Sequence, residues 1–158
     1  HGGNMSPVAE ANIYNDPHAA DVVFTANWPV TLVGLDVTHQ VLMDTAYLDR
    51  LGEHGGDEGR FIRDITQCYE AFYNHRTGGG IYSHDASAVA CALDASPFGL
   101  RQGAVRVVTE GLAAGQIIQA LPHQRFPATD WDGHPHQAVC VDVDADRLRA
   151  EFQALFTG

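Results

Sequence analysis

The sequence contains no lysine, and all nine of its basic residues are arginines. Against these stand 20 acidic residues, which give the chain a formal net charge of −11. A surface of this sign repels phosphate backbones instead of attracting them. We therefore expect no nucleic acid polymer as a partner, whereas a metal cation or a neutral polar ligand is compatible with the charge.

Long apolar runs and paired cysteines are also missing. No stretch approaches the ~20 consecutive apolar residues that span a bilayer, so we expect no membrane partner. The three cysteines, Cys68, Cys91 and Cys140, are widely spaced and odd in number, which fits neither a zinc site of the CxxC type nor a disulfide framework. A reducing, cytoplasmic location is the simpler interpretation.

The chain starts without an initiator methionine, at His1-Gly2-Gly3-Asn4. It shows no charged segment followed by an apolar one, so the sequence predicts no signal peptide. Because the first residues already read as a glycine-rich loop, we expect a fragment of a longer polypeptide. The 158 residues, 45% of them hydrophobic, are enough for one domain with a sizeable core.

Local patterns predict an α/β fold. Asp16-Pro17 is typical of a helix start and predicts a helix to about Thr25. The nearly continuous apolar run over 30–35 favours a parallel strand covered on both faces, with Asp36 at its carboxyl end. Three further helices are expected. The first covers 58–75 and has an apolar stripe at Phe61, Ile65 and Phe72, the second covers 84–90 and is capped by Ser83, and the third follows Asp144 and has Leu148, Phe152 and Leu155 on one face. Late strands are expected over 104–109, 115–120 and 137–143.

The opening loop carries the first candidate site. Asn4, Glu10 and Asn12 place two amides and a carboxylate just before a helix. An amide both donates and accepts hydrogen bonds and a carboxylate accepts several, so the three could bind the hydroxyl groups of a sugar. The alternative is that these residues cap helices and stabilise turns, and for any one of them alone this role is favoured.

The second candidate site is His84-Asp85, which follows a glycine run at a helix start. A carboxylate is a hard oxygen ligand for Ca²⁺ or Mg²⁺, and a neighbouring histidine can donate a proton near neutral pH. If this dipeptide stood alone, we would favour Asp85 as a helix cap and His84 as a surface residue.

Two further groups are weaker candidates. Tyr69 and Tyr73 share a helix face at positions i and i+4, either as core aromatics or as one side of a lid that stacks on a planar ligand. Asp36 and His39 lie where open α/β sheets bind ligands, although capping of the neighbouring helix is the more ordinary role for Asp36.

The Asp-rich segment 142–146 lacks the glycine and glutamate of an EF-hand, so we interpret it as a strand end plus a helix cap.

An ordered set of short motifs resembles nucleoside hydrolases of the inosine/uridine-preferring type over practically the whole chain. These motifs are Gly3-Asn4, 7–13, Asp16-Pro17, 33–38, His84-Asp85-Ala86, Thr109-Glu110-Gly111 and 141–144. The resemblance implies that residues 1–158 are the C-terminal portion of a single nucleoside hydrolase domain. It also implies a Rossmann-like fold, with an open, mostly parallel sheet flanked by helices and with late antiparallel strands.

The resemblance further implies hydrolysis of the N-glycosidic bond of a ribonucleoside substrate, with Ca²⁺ as cofactor, by an enzyme that is a homo-oligomer when intact. Asp85 matches a calcium ligand that also contacts the ribose diol, and His84 matches the group that protonates the departing base. Asn4, Glu10 and Asn12 match ribose-binding residues, and we expect them to converge with Asp85 on one sugar-sized space. Tyr69 and Tyr73 match base-contacting residues more loosely.

One departure from the family pattern matters most. The N-terminal aspartate cluster that supplies most metal ligands has no counterpart in this sequence, so we expect the chain to carry half an active site and to be inactive alone. A non-catalytic nucleoside- or ribose-binding module is the second hypothesis. The third hypothesis is a different hydrolase, in which Asp85 and Glu10 hold Mg²⁺ near a phosphate. The lack of a P-loop or a clustered basic pocket argues against it.

Overall fold

The structure is a computed structural model that describes residues 2–157. The helices are α1 (Ala11–Asn15), α2 (Pro17–Thr25), α3 (Leu35–Thr38), α4 (Thr45–His54), α5 (Gly56–Thr77), α6 (Asp85–Leu93) and α7 (Ala145–Thr157). The strands are β1 (Thr31–Leu32), β2 (Leu42–Met43), β3 (Ile81–Tyr82), β4 (Phe98–Val107), β5 (Ile117–Ala120) and β6 (His136–Val143). The chain forms two compact units. The first unit consists of the chain up to Asp36 together with Gly99–Val141, and the second consists of Val37–Phe98 together with the chain from Asp142 onward.

The first unit is built on a four-stranded sheet in the order β1-β6-β4-β5. β1 pairs with β6 in parallel, and β4 pairs with β5 antiparallel. The core of this unit is formed by the buried side chains of Phe24, Val105, Val107 and Val139, against which Leu32 packs. Phe24 of α2 and Leu32 of β1 thus both contribute to the core of this unit.

A buried glutamine fastens α2 and β1 to this sheet. The side chain of Gln137 is 1% exposed. Its Oε1 accepts a hydrogen bond from Val30 N–H at 2.8 Å, and its Nε2 donates to the carbonyl oxygens of Phe24 at 3.0 Å and Trp28 at 3.2 Å. Since these groups are away from water, the glutamine satisfies backbone atoms that would otherwise be buried without partners.

An ion pair adds a second link between α2 and the sheet. Both carboxylate oxygens of Asp21 accept from the guanidinium of Arg106, at 2.8 and 2.9 Å, and Oδ1 also accepts from Val107 N–H at 2.9 Å. The two side chains are 15% and 29% exposed. A forked, largely shielded pair of this kind fixes the helix in one orientation on its strand.

The second unit packs α4, α5 and α7 around a small core. Tyr47, Leu48 and Leu51 of α4 are buried in this core, and Ile62 and Phe156 pack against them. Along α5 the face toward the core carries Ile62 and the buried Gly59 and Thr66. The apolar stripe that the sequence suggested for this helix lies outside: Phe61, Ile65 and Phe72 are 63%, 57% and 70% exposed.

A turn of three glycines links α5 to β3. Gly78, Gly79 and Gly80 have φ angles of 69°, 119° and 94°, values that side chains rarely tolerate. A Cβ atom on Gly80 would lie 2.2 Å from the carbonyl oxygen of Met43. The carboxylate of Glu70 accepts hydrogen bonds from Gly80 N–H at 3.0 Å, from Arg63 at 2.9 Å and from the hydroxyl of Thr45, which locks the turn to α5.

Several predicted elements are confirmed. α2 and α5 begin and end within two residues of the predicted bounds, and the late strands are β4, β5 and β6. Asp144 accepts a hydrogen bond from Arg147 N–H at 3.0 Å and so caps α7.

The cysteines differ in exposure. Cys68 is exposed, and Cys91 and Cys140 are buried; within residues 2–157 none of the three forms a disulfide. None of the helices within residues 2–157 combines the length and apolar character needed to cross a bilayer.

Other details of the prediction were wrong. The strand expected over 30–35 is only Thr31–Leu32, and Asp36 lies within α3 instead of at a strand end. The residue that caps α6 is His84 and not Ser83, whose hydroxyl accepts from Ser87 at 3.3 Å. Leu155 does not join the buried face of α7, because it is 76% exposed.

Candidate active site

Asn4 and Glu10 both bond to the start of α1. Oδ1 of Asn4 accepts from Ala11 N–H at 2.9 Å. Oε2 of Glu10 accepts from Asn12 N–H at 2.8 Å and from Ile13 N–H at 3.3 Å. The two side chains therefore do stabilise a helix start, as the capping alternative predicted. Asn12 lies in the first turn of this helix, whereas the sequence pattern had placed it in the preceding loop.

These bonds use only part of the polar capacity of the three residues. Within residues 2–157 no hydrogen bond engages Nδ2 of Asn4, Oε1 of Glu10 or the side-chain amide of Asn12. Asn4 and Asn12 are exposed, and Glu10 is half-buried. One helix start thus offers amide donors together with amide and carboxylate acceptors, which is the mixture that sugar hydroxyl groups need because they donate and accept.

The loop before α1 is compact enough to hold these groups in place. Gly3 N–H donates to the carbonyl oxygen of Pro7 at 3.1 Å, and Oγ of Ser6 accepts from Ala9 N–H at 3.1 Å. A Cβ on Gly3 would lie 2.0 Å from the carbonyl oxygen of Ala9, and one on Gly115, which has a φ of 85°, would lie 2.8 Å from the Cβ of Ala9. Both glycines are required by close backbone approach.

In the second unit, β3 leads into α6 through His84. Nδ1 of His84 lies 2.9 Å from the hydroxyl of the buried Thr38. The imidazole also contacts two aromatic rings: its centroid lies 5.6 Å from that of His39 and 5.9 Å from that of Tyr82. Because the Thr38 hydroxyl lies at hydrogen-bonding distance from Nδ1, it orients the imidazole ring.

Asp85 occupies the first turn of α6, next to two tyrosines. The terminus has no side-chain capping hydrogen bond, and within residues 2–157 the exposed Asp85 carboxylate accepts none. The capping alternative therefore does not account for it. Partial burial, the hydrogen bond to Tyr73, the charge of Tyr73 and that of Asp85 together raise the pKa of Tyr69 to about 12, which places the carboxylate within electrostatic reach of this phenol.

Tyr69 and Tyr73 stack against each other on the surface of α5. Their ring centroids are 4.4 Å apart with an angle of 37° between the planes. Tyr69 is 40% exposed and Tyr73 is half-buried. They are therefore not core aromatics, and their faces are accessible for stacking on a planar ligand.

The described residues do not form a metal site by themselves. Within residues 2–157 no three or more histidine, cysteine, aspartate or glutamate side chains lie close enough together to hold an ion. Asp85 contributes one carboxylate, and affinity for hard cations depends on several oxygen ligands. A self-contained Ca²⁺ site therefore does not fit this chain.

Comparison with known proteins identifies the family. The family model described as inosine-uridine preferring nucleoside hydrolase matches residues 1–150. The chain belongs to this nucleoside hydrolase family. A nucleoside hydrolase of this type from Leishmania major is 45% identical over 151 residues, covering 94% of the chain, and a probable uridine nucleosidase 2 from Arabidopsis thaliana is 36% identical over 147 residues, covering 90%.

Solved nucleoside hydrolase structures confirm the predicted α/β fold class. A plant nucleoside hydrolase superposes on 99% of the chain with a TM-score of 0.94 at 33% identity. The matched part is only 50% of that solved chain, and 46% and 45% of the Leishmania and Arabidopsis proteins. The chain thus spans about half the length of the nucleoside hydrolases that it matches.

The structure groups the predicted site residues within each unit. Asn4, Glu10 and Asn12 share the start of α1, and His84 and Asp85 share the start of α6. Tyr69 and Tyr73 contact each other on α5, and the charge of Asp85 contributes to the raised pKa of Tyr69. That the two groups act on one nucleoside stays a prediction.

The contacts of Thr38 and Tyr82 with His84 were missed at the level of sequence. Thr38 directly precedes His39, which was singled out, but nothing in the spacing indicates that a segment 46 positions away bonds to His84.

Proposed function

We propose that this chain supplies half of the active site of an enzyme that hydrolyses the N-glycosidic bond of ribonucleosides to ribose and free base. One observation carries the proposal. In a chain that matches the nucleoside hydrolase family over residues 1–150, the start of α6 carries His84, whose ring bonds to Thr38, and next to it Asp85, whose carboxylate makes no capping hydrogen bond. The rest of the proposal assigns a task to each group.

His84 is the acid of the reaction. When the bond between C1′ and the base nitrogen breaks, its electron pair moves to the base, and a proton from the protonated imidazole of His84 neutralises the departing nitrogen. The oxocarbenium-like ribosyl centre then takes up water and loses a proton to give ribose. General acid catalysis of this kind accounts for ~10²–10⁴-fold in rate.

Asn4, Glu10 and Asn12 bind ribose hydroxyl groups. The two residues that cap α1 keep Nδ2 of Asn4 and Oε1 of Glu10 fixed, so little side-chain entropy is lost when they bind a sugar. Asn12 adds an amide in the first turn of α1. A prepositioned set of donors and acceptors orients the sugar relative to the acid, which lowers the barrier without taking part in bond breaking.

Tyr69 and Tyr73 contact the base. Stacking between an aromatic side chain and a nucleobase is worth about 1–3 kcal/mol and tolerates different bases because every base has a π-face. This fits the breadth implied by an inosine-uridine preferring family. The pair would therefore contribute affinity more than discrimination between purines and pyrimidines.

Asp85 is one ligand of a Ca²⁺ ion in the intact enzyme. When bound, such an ion orients and acidifies a water molecule and holds two hydroxyl groups. The remaining ligands must come from outside residues 2–157, which is consistent with residues 1–158 being the C-terminal portion of a single nucleoside hydrolase domain. Cysteines that form no disulfide within residues 2–157 suit a cytoplasmic enzyme.

A histidine substitution tests the proposal. In the intact enzyme, His84→Ala should lower kcat for inosine by ~10²–10⁴-fold with a smaller change in KM, because the acid acts only on the departing base. His54→Ala is the matched control, since the side chain of His54 is 64% exposed on α4 of the same unit, and this variant should keep its activity. An unchanged kcat for His84→Ala would refute the assignment.

The alternative is a nucleoside- or ribose-binding protein without catalysis. It predicts that the intact protein binds inosine or uridine in calorimetry but releases no free base over hours. Release of hypoxanthine or uracil from these two nucleosides by the intact protein would exclude it.

A further inference from the structure

The two-stranded sheet of the second unit brings Thr38 next to His84, although 46 positions separate the two residues. β2 and β3 pair antiparallel. One more backbone bond, from Ser83 N–H to the carbonyl oxygen of Val41 at 3.0 Å, extends this pairing to the residue before His84. Val41 N–H in turn donates to the carbonyl oxygen of Thr38 at 3.2 Å. A short, hydrogen-bonded path of backbone therefore holds both residues in place.

The hydroxyl of Thr38 is shielded from water. Thr38 is 3% exposed, and its neighbours Val37 and Val41 are fully buried. A buried hydroxyl is costly without a hydrogen-bond partner. The Thr38 hydroxyl lies 2.9 Å from Nδ1 of the half-buried His84. Pairing with the imidazole is therefore favoured over an orientation in which this hydroxyl faces only apolar neighbours.

Two further rings restrict the position of the His84 imidazole. His39 and Tyr82 contact each other with ring centroids 4.6 Å apart, and each also contacts the ring of His84, at 5.6 and 5.9 Å. The backbone of His84 is held as well, because its N–H donates to the carbonyl oxygen of Tyr82 at 3.2 Å. These contacts limit where the imidazole can lie.

Ring contacts alone do not select which edge of the imidazole faces Thr38. The second side-chain torsion of a histidine is broad and roughly two-fold, so a half turn of the ring fills almost the same space. This half turn exchanges each ring nitrogen for a carbon. A C–H group neither bonds to the hydroxyl nor delivers a proton, so the hydrogen bond to Thr38 distinguishes two orientations that packing does not.

We propose that Thr38 is a positioning residue for the reaction, because its hydroxyl selects the orientation of the His84 ring that serves the departing base. Thr38 acts through His84, and the inference rests on the proposed function of His84 as the acid. Positioning matters at this point because a misplacement of ~1 Å can lower a rate by ~10²-fold.

Kinetics of hydroxyl-deleting and hydroxyl-keeping variants of the intact enzyme test the proposal. Thr38→Val keeps the shape of the side chain and removes the hydroxyl, so kcat for inosine should fall by ~10–100-fold while KM changes by less than about 3-fold. Thr38→Ser keeps the hydroxyl, and its kcat should stay within about 3-fold of the original.

A second buried threonine of the same unit provides the matched control. Thr66 is 8% exposed, and its hydroxyl donates to the carbonyl oxygen of Arg63 at 3.0 Å. Thr66→Val removes a buried, bonded hydroxyl in the same way but away from His84. This variant should lose thermal stability and keep its kcat, which separates the loss of a buried hydrogen bond from the loss of ring orientation.

A double-mutant cycle shows whether Thr38 acts through His84. In the His84→Ala background, Thr38→Val should change kcat by less than about 2-fold, because the group that Thr38 positions is already missing. If Thr38→Val fails to fold, Thr38→Ala and Thr38→Ser give the same comparison, since these two side chains differ only by the hydroxyl oxygen.

Crystal structures of the intact Thr38→Val and Thr38→Ser variants give a measurement that does not depend on catalysis. We expect the imidazole of His84 to turn or to occupy two orientations in Thr38→Val and to keep its orientation in Thr38→Ser. An unchanged, single ring orientation in Thr38→Val would overturn the inference even if its activity were reduced.

The kinetic outcomes separate the inference from the proposed function. If His84→Ala lowers kcat and Thr38→Val does not, only the role of Thr38 is wrong. An equal loss from Thr38→Val with and without His84, or a Thr38→Ser variant no more active than Thr38→Val, also overturns that role. If His84→Ala leaves kcat unchanged, the proposed acid is wrong, and the role of Thr38 in the reaction falls with it.

Discussion

Two candidate site residues use only part of their polar groups at a helix start. Glu10 caps α1 with one oxygen and leaves the other available, and Asn4 does the same with its amide. From the sequence, the capping and binding roles looked like alternatives. They could not be separated there, because the outcome depends on which atom of a side chain meets the backbone.

At the start of α6 the balance differs. Asp85 takes no part in a cap, so the more ordinary expectation for it was wrong. The candidate residues themselves could be chosen from the sequence by their chemical type and position. The partners that orient them, such as Thr38 for His84, could not, since they depend on contacts across 46 positions.

The Asp21–Arg106 pair predicts a dependence of stability on pH. Burial alone would raise the pKa of the Asp21 carboxyl, but hydrogen bonds from Arg106 and Val107 N–H outweigh burial and hold its pKa below the ordinary value of 3.8. A carboxyl with a lowered pKa stabilises the fold above the pKa of the unfolded chain, and this contribution is lost as pH falls through the lower, folded-state pKa.

Asp21→Asn should therefore reduce the free energy of unfolding by roughly 1–3 kcal/mol near neutral pH. The difference from the original protein should stay constant down to about pH 5 and shrink as the pH falls below 3.8. Urea denaturation between pH 7 and pH 3 measures it. Asp132→Asn, at an exposed position of the same unit, is the control, and a difference for Asp21→Asn that grows on acidification would contradict the prediction.

Among the elements, the glycine turn between α5 and β3 has the strictest requirements. The sequence indicated that Gly78, Gly79 and Gly80 end a helix. The structure adds that they are not equivalent: a Cβ on Gly78 would meet nothing within 4 Å, whereas one on Gly80 would meet the Met43 carbonyl oxygen at 2.2 Å.

Two alanine substitutions should separate these requirements. Gly78→Ala should cost about 1 kcal/mol, because only a left-handed backbone conformation opposes it. Gly80→Ala should cost about 2–4 kcal/mol, because strain and overlap with β2 add to that penalty. Both are measured as changes in the free energy of unfolding, and equal costs would show that the turn yields to the side chain.

Elements with strong local signals were predicted well. α2 has Asp16 and a proline at its start, and α5 combines helical periodicity with a glycine after its end. α1, α3 and the pair β2-β3 were missed, since none of them is longer than five residues. α4 was also missed, although its ten residues follow Asp44, whose side chain caps the helix. The strand over 30–35 was predicted too long, because only Thr31 and Leu32 pair with β6 and α3 already begins at Leu35.

At the scale of the molecule, the chain spans about half the length of the nucleoside hydrolases that it matches. Its motifs sufficed to identify the family and the fold class, because they extend over nearly the whole length. They could not indicate which residues complete a metal site, since the aspartate cluster of the family pattern has no counterpart in this sequence.

The isolated chain should therefore neither bind Ca²⁺ tightly nor turn over nucleosides. With a single carboxylate at Asp85 and no cluster of three ligands within residues 2–157, we expect a Kd for Ca²⁺ weaker than about 10⁻³ M. Calorimetry with CaCl₂ and release of base from inosine and uridine test this. Turnover by the 158 residues alone, compared with the intact enzyme as the positive control, would refute it.

The distribution of the thiols has a practical consequence. Cys68 is exposed on α5 directly beside Tyr69, while Cys91 and Cys140 are 6% and 1% exposed. A maleimide fluorophore should therefore label the native protein at one position without any engineered mutation. Its emission would then report whether a nucleobase settles on the neighbouring tyrosines.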